Sequence, residues 1–148
     1  MNHPRSSILV IDHQTYWLER VAEALQGAGY QISTAKTYAE ALKRTKGGTS
    51  WDIVVLGCAS IGYKERMLVA SLVERDQSVI ILSATLTVQD MRDLFLQGVK
   101  DVTDKTYHSA EILTIIEQTQ ERIAKRNRPW KLAGREFFYE KTRAYPRC

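Results

Sequence analysis

Residues that handle charge or protons stand directly behind short apolar runs: Asp12 and His13 after residues 7–11, Ser83 after residues 78–82, and Lys105 just beyond residues 99–103. A carboxylate, a hydroxyl and an ammonium gathered at one rim could hold a cation or contact an anion. Behind the run at residues 51–56 the corresponding position is Gly57, followed by Cys58. A glycine supplies neither nucleophile nor ligand. Each of the other residues also has a plain structural use. Asp12 and Lys105 could form an ion pair, and Ser83 could serve a strand end by hydrogen bonding. His13 could sense protons, since imidazoles as a class titrate near neutral pH, or stand as an ordinary loop histidine. Cys58 reads as a redox or metal residue or as a small apolar filler. One aspartate alone is a poor site for a hard divalent cation, which needs several oxygen donors. No Ser-His-Asp order, zinc-ligand spacing or phosphate-cradling glycine loop competes with these readings. No catalytic residue, metal site or cofactor is therefore expected, and an enzyme is the least favoured class.

The elements that must position these residues alternate along the chain. Ser7-Ile8-Leu9-Val10-Ile11 is apolar without alternation, as a strand covered on both faces should be. A helix follows with Leu18, Val21, Ala22 and Leu25 on one side and Gly27 and Gly29 as stop signals. A short strand at residues 30–35 leads to the capping box Thr37-Tyr38-Ala39-Glu40 and a second helix, closed by Lys46-Gly47-Gly48. The third strand spans residues 51–56, a loop spans 57–62, and the next helix carries Met67, Leu68, Ser71 and Leu72. Residues 78–82 form the fourth strand, before a helix with Met91, Leu94 and Phe95 that stops at Gly98. A poorer fifth strand covers residues 99–103. The last helix starts at Ser109, whose hydroxyl can cap it, and places Ile112, Leu113, Ile115, Ile116 and Ile123 inward. Five strands alternating with five helices imply a doubly wound α/β domain, its sheet parallel and its crossovers right-handed. In such sheets ligand chemistry collects beyond the carboxyl ends of the strands, where the residues named above stand.

On those residues the chain resembles the response-regulator receiver (CheY-like) family over roughly residues 7–125. The family pattern has an acidic pair after strand one, an aspartate after strand three, Ser or Thr followed by Ala after strand four, and Lys after strand five. Asp12, Ser83-Ala84 and Lys105 match it. The resemblance implies a flavodoxin-like (βα)5 fold with strand order 2-1-3-4-5. It also implies that His13 and Gly57 occupy the two positions that hold Mg²⁺ directly, Gly57 standing where the phosphoacceptor aspartate belongs. The switch aromatic on strand five corresponds to Val102, and the proline after the lysine to Thr106. Both trigger and relay are thus expected to be dismantled, leaving a pseudo-receiver that signals without aspartyl phosphate.

Length and composition agree with one ordinary domain: 148 residues, 44% hydrophobic, enough for a substantial core. No apolar stretch reaches the roughly 20 residues needed to span a bilayer, and residues 1–7 lack a signal-peptide core, so a cytoplasmic location is expected. The formal charge of +4 is concentrated at the end. Residues 128–148 hold six basic groups against two acidic ones, which accounts for the whole excess, and five of the 13 aromatics. The division is expected as a receiver-like domain at 1–127 and a basic aromatic tail at 128–148. Trp130, Lys131, Arg135, Phe137, Phe138 and Tyr139 could pack on their own domain or across a homodimer, dock a partner, or bind nucleic acid or an anionic surface. The tail is too short for the usual helix-turn-helix output domain. The expected function is phosphorylation-independent protein–protein interaction in two-component signal transduction or a phosphorelay, with a sensor kinase or another regulator as partner. A nucleic-acid-binding regulator and a small-ligand sensor using the vacated pocket are the alternatives.

Overall fold

Three apolar runs form the middle of the sheet because each can be buried on both faces. The computed structural model describes residues 6–46, 51–105 and 108–126. In chain order the elements are β1 (Ser7–Ile11), α1 (Thr15–Gly27), β2 (Gln31–Ala35), α2 (Tyr38–Arg44), β3 (Ile53–Cys58), α3 (Tyr63–Glu74), β4 (Val79–Ser83), α4 (Val88–Gln97), β5 (Asp101–Asp104) and α5 (Ser109–Arg126). The strands make one parallel sheet in the order β2-β1-β3-β4-β5. Every residue of β3 and β4 is buried, whereas the edge strands β2 and β5 keep partly exposed positions. The expected five-stranded, doubly wound fold is the one observed.

Alternation along the strands divides the core between two faces. Leu9, Ile11, Val54, Leu56, Val79, Ile81 and Val102 pack with Leu68, Val69 and Leu72 of α3 and Leu94 of α4. Ile8, Val10, Val55, Ile80 and Leu82 are buried on the opposite face. There α1, which packs on β1 and β2, buries Leu18, Val21 and Leu25. Two compact units divide the chain at Ile115/Ile116, within α5. The site residues considered below belong to the first unit. The compositional boundary at 127/128, the tail and Thr106 lie outside the described residues.

Local structure departs from the sequence reading at several points. β3 does not stop at Leu56: Gly57 and Cys58 continue it, in register with Leu82 and Ser83 of β4. Met67 and Phe95 keep helical spacing with core residues but are about half exposed, at 51% and 46%. The Thr37 hydroxyl accepts the Glu40 N–H at 3.0 Å, while the Glu40 carboxylate reaches past the cap to the Lys36 N–H, also at 3.0 Å. At α5 the capping position belongs to His108, whose carbonyl accepts the first helical bonds from Glu111 and Ile112. Gly98 ends α4 in the left-handed conformation, φ 111°, which glycine adopts without steric cost. Among the described residues no helix is long and apolar enough to cross a membrane.

Candidate functional site

Parallel register brings the ends of β1, β3, β4 and β5 to one rim, and with them Asp12, Gly57, Ser83 and Lys105. Asp12 and Lys105 meet there as a buried pair, Nζ to Oδ2 2.8 Å, with side chains 2% and 4% exposed. Asp12 Oδ1 accepts the Gln14 N–H at 2.8 Å, closing a turn into α1. Oδ2 makes no aligned hydrogen bond and is satisfied by charge alone. The Lys105 ammonium also donates to Gln14 Oε1 at 2.6 Å. It lies 4.6 Å from the centroid of the Trp17 ring, within cation–π range. Carboxylate, amide and ring face together compensate a charge that would be costly to bury alone.

Gly57 owes its identity to space rather than to backbone conformation. A Cβ added there would stand 2.5 Å from Cζ3 and 3.0 Å from Cη2 of Trp17, and closer still to Asp12 Oδ2. Carbon atoms prefer roughly 3.5–4.0 Å, so the indole occupies the place of a side chain. Trp17 itself is 1% exposed. The space beside Gly57 is thus taken by the Asp12 carboxylate and by the Trp17 ring of α1. Sequence reasoning missed Trp17 and Gln14. The one available signal was the pairing of an unusually large residue early in α1 with an unusually small one ending β3.

The remaining rim residues face elsewhere. His13 is exposed, shares a hydrogen bond through Nδ1 with the Lys36 carbonyl at 2.8 Å, and stacks on Tyr38 with centroids 4.7 Å apart. The Tyr38 hydroxyl donates to Glu65 Oε2 at 2.7 Å, and Glu65 Oε1 accepts the Gly62 N–H at 2.8 Å. Burial, then the bond to Glu65, raises the Tyr38 phenol above the ordinary tyrosine range. Burial opposes ionisation of Glu65, but hydrogen bonds from Tyr38 and from the Gly62 and Glu65 N–H groups hold its carboxyl below the usual value. Ser83 is fully buried and donates to the Thr85 carbonyl at 2.7 Å. Burial pushes the neighbouring Cys58 thiol up to about 11, against the opposing contact with Ser83. Val102 pairs with Ile81 in β5 and packs into the α3–α4 core.

Mg²⁺, which the receiver resemblance implies, does not fit these residues. Asp12 is committed to Lys105, His13 bonds to a backbone carbonyl, and Gly57 offers no ligand atom. Among the described residues no three His, Cys, Asp or Glu side chains converge on a point a metal could take.

No protein-family model matches the chain, and no curated protein does so either. Solved structures do. A CheY-like receiver domain from Methanospirillum hungatei is similar at 16% identity, with 82% of this chain and 98% of that one covered and a TM-score of 0.72. The receiver domain of the Francisella response regulator 1452 shares 19% identity, covering 80% and 99%, at a TM-score of 0.70. A Thermotoga maritima response regulator shares 20%, covering 78% and 97%, at 0.69. The fold is that of a response-regulator receiver domain. At these identities the likeness carries the receiver architecture, and the rim chemistry is this chain's own.

Proposed function

We propose that this receiver-fold module works in two-component-type signal transduction as a non-enzymatic protein–protein interaction domain whose state is not set by aspartyl phosphate. One observation carries the reading: the place of a side chain at position 57 is taken by the Asp12 carboxylate and the Trp17 ring. An acyl phosphate needs a carboxylate nucleophile at that point. Glycine provides none, and the ring with the Asp12 carboxylate takes the place of even the first carbon of a side chain there. The companion charge, Lys105, is compensated internally by Asp12, Gln14 and Trp17. The same filled volume weighs against the ligand-sensor alternative. The partner is then a sensor kinase, another regulator or a second copy, recognised through surface rather than through phosphate.

The test is affinity capture from native lysate, nuclease-treated and untreated, with the full chain as bait, in the presence and absence of acetyl phosphate with Mg²⁺. Recovery of the same signalling protein in equal amount from both arms supports the proposal. A partner recovered only with the phosphodonor would overturn it. Capture that yields nucleic acid alone, and is abolished by nuclease, would favour the tail-mediated regulator instead.

A further inference from the structure

We infer that Trp17 is an internal ligand of the rim, an intramolecular stand-in for the group a receiver site would otherwise bind, and that it holds Lys105 and the end of β5 in one fixed arrangement. This rests on reading Gly57 as the vacated acceptor position. Three observations converge on it. The ring, together with Asp12 Oδ2, occupies the space beside Gly57 where the first carbon of a side chain would stand. Its face lies under the Lys105 ammonium, 4.6 Å from the centroid, so the ring contributes electrostatically as well as by volume. The two other groups around that ammonium, Asp12 and Gln14, sit on the turn that leads into α1, five and three residues before Trp17.

The chain from Asp12 to Trp17 therefore forms one unit that closes on Lys105 from the β1 side. An ammonium surrounded by a carboxylate, an amide oxygen and an aromatic face has little to gain from an incoming anion, because each interaction would have to be exchanged rather than added. The small residue at 57 and the large one at 17 thus complement each other in volume, while the ring also serves the Lys105 charge. The free energy that a switchable receiver obtains from an external group is built into this fold. The module is accordingly set in a single state, and regulation must come from the availability of its partner.

The volume exchange makes residues 17 and 57 thermodynamically coupled. In the native background Gly57→Ala forces a methyl into the ring and lowers Tm by about 3–9 °C, the usual range for overpacking in a chain of this size. In a Trp17→Leu background the same substitution should cost measurably less, the remainder being the contact with Asp12 Oδ2 that Trp17→Leu leaves in place. Equal losses in the two backgrounds, or no loss in the native one, would overturn the inference. Trp17→Ala should leave a space of indole shape with Asp12 and Lys105 on its polar side, a shape that an added indole can fill in place of the water such a site would otherwise admit. Free indole should raise the Tm of Trp17→Ala, or restore its folding if it is unfolded alone, without raising that of the native chain. A Trp17→Ala protein unaffected by saturating indole counts against an internal ligand. A third reading reports on the charge: the Lys105 ammonium protons should carry a ring-current shift in nitrogen-detected NMR that Trp17→Leu abolishes. An unshifted native signal would show that the ring does not face the ammonium. These measurements separate the inference from the functional proposal. Coupling between 17 and 57 concerns packing alone, whereas phosphate uptake by the native chain is read independently by mass.

Discussion

Removing the positive charge from Lys105 is the sharpest perturbation of the rim. Lys105→Met keeps most of the aliphatic stem but deletes the ammonium, leaving the Asp12 carboxylate buried with a single hydrogen bond, from Gln14 N–H to Oδ1. Breaking a buried pair by removing one partner costs about 3–5 kcal/mol, because the remaining charge has lost both water and partner. With unfolding entropy near 2.1 cal/mol/K per residue, a chain of 148 residues should lose about 10–15 °C in Tm. Adding Asp12→Asn retains the oxygen that accepts from Gln14 and removes the orphaned charge. The double variant should therefore recover a large part of the loss, with a coupling of about 2–3 kcal/mol in a double-mutant cycle. Urea denaturation at low and high salt is the assay, and the coupling should change little with salt because both side chains are buried. A Lys105→Met loss under about 1 kcal/mol, or single-variant losses that simply add, would refute the reasoning, since those are the marks of a solvated surface pair.

Other expectations concern the surroundings of the rim. Cys58, with its thiol raised to about 11, should resist iodoacetamide at neutral pH and react only once the chain is unfolded, as peptide mapping would show. Tyr38 is neutral in the folded state beyond the pH at which an unfolded tyrosine ionises. Its contribution to stability should be complete below about pH 10 and decline above it, a slope that Tyr38→Phe removes. Glu65 behaves oppositely: its carboxyl is depressed on folding, so the stability it supplies is present above the ordinary glutamate range and lost on acidification. Glu65→Gln should flatten the acid limb of the stability–pH curve. Thr37→Ala removes the hydroxyl that accepts the Glu40 N–H and should cost about 1 kcal/mol by thermal denaturation.

Much of the fold was legible because its central strands are buried on both faces and cannot be mistaken for amphipathic segments. The runs of β1, β3 and β4 announce themselves as unbroken Ile, Leu and Val, and the helices between them fix a parallel sheet. The end of β3 was misread because Gly57 and Cys58 look like loop residues, whereas backbone pairing with β4 carries the strand through them. Periodicity placed Met67 and Phe95 on inner faces, but spacing gives the direction of a stripe and not its width, so both stand at its exposed margin. At the rim the register was enough to bring Asp12, Gly57, Ser83 and Lys105 together. The occupant of the site was not legible. Trp17 lies only five residues from Asp12 in sequence, yet its ring reaches β3 through the rotation of α1, and no one-dimensional pattern encodes that contact.

The central claim, that this receiver fold works without aspartyl phosphate, is met most directly by intact-mass spectrometry of the native chain after incubation with acetyl phosphate and Mg²⁺. The expected mass is that of the untreated protein. An adduct of one phosphoryl group, stable to removal of the donor and located by peptide mapping to the rim, would contradict the account and show that another residue has taken over the acceptor's role.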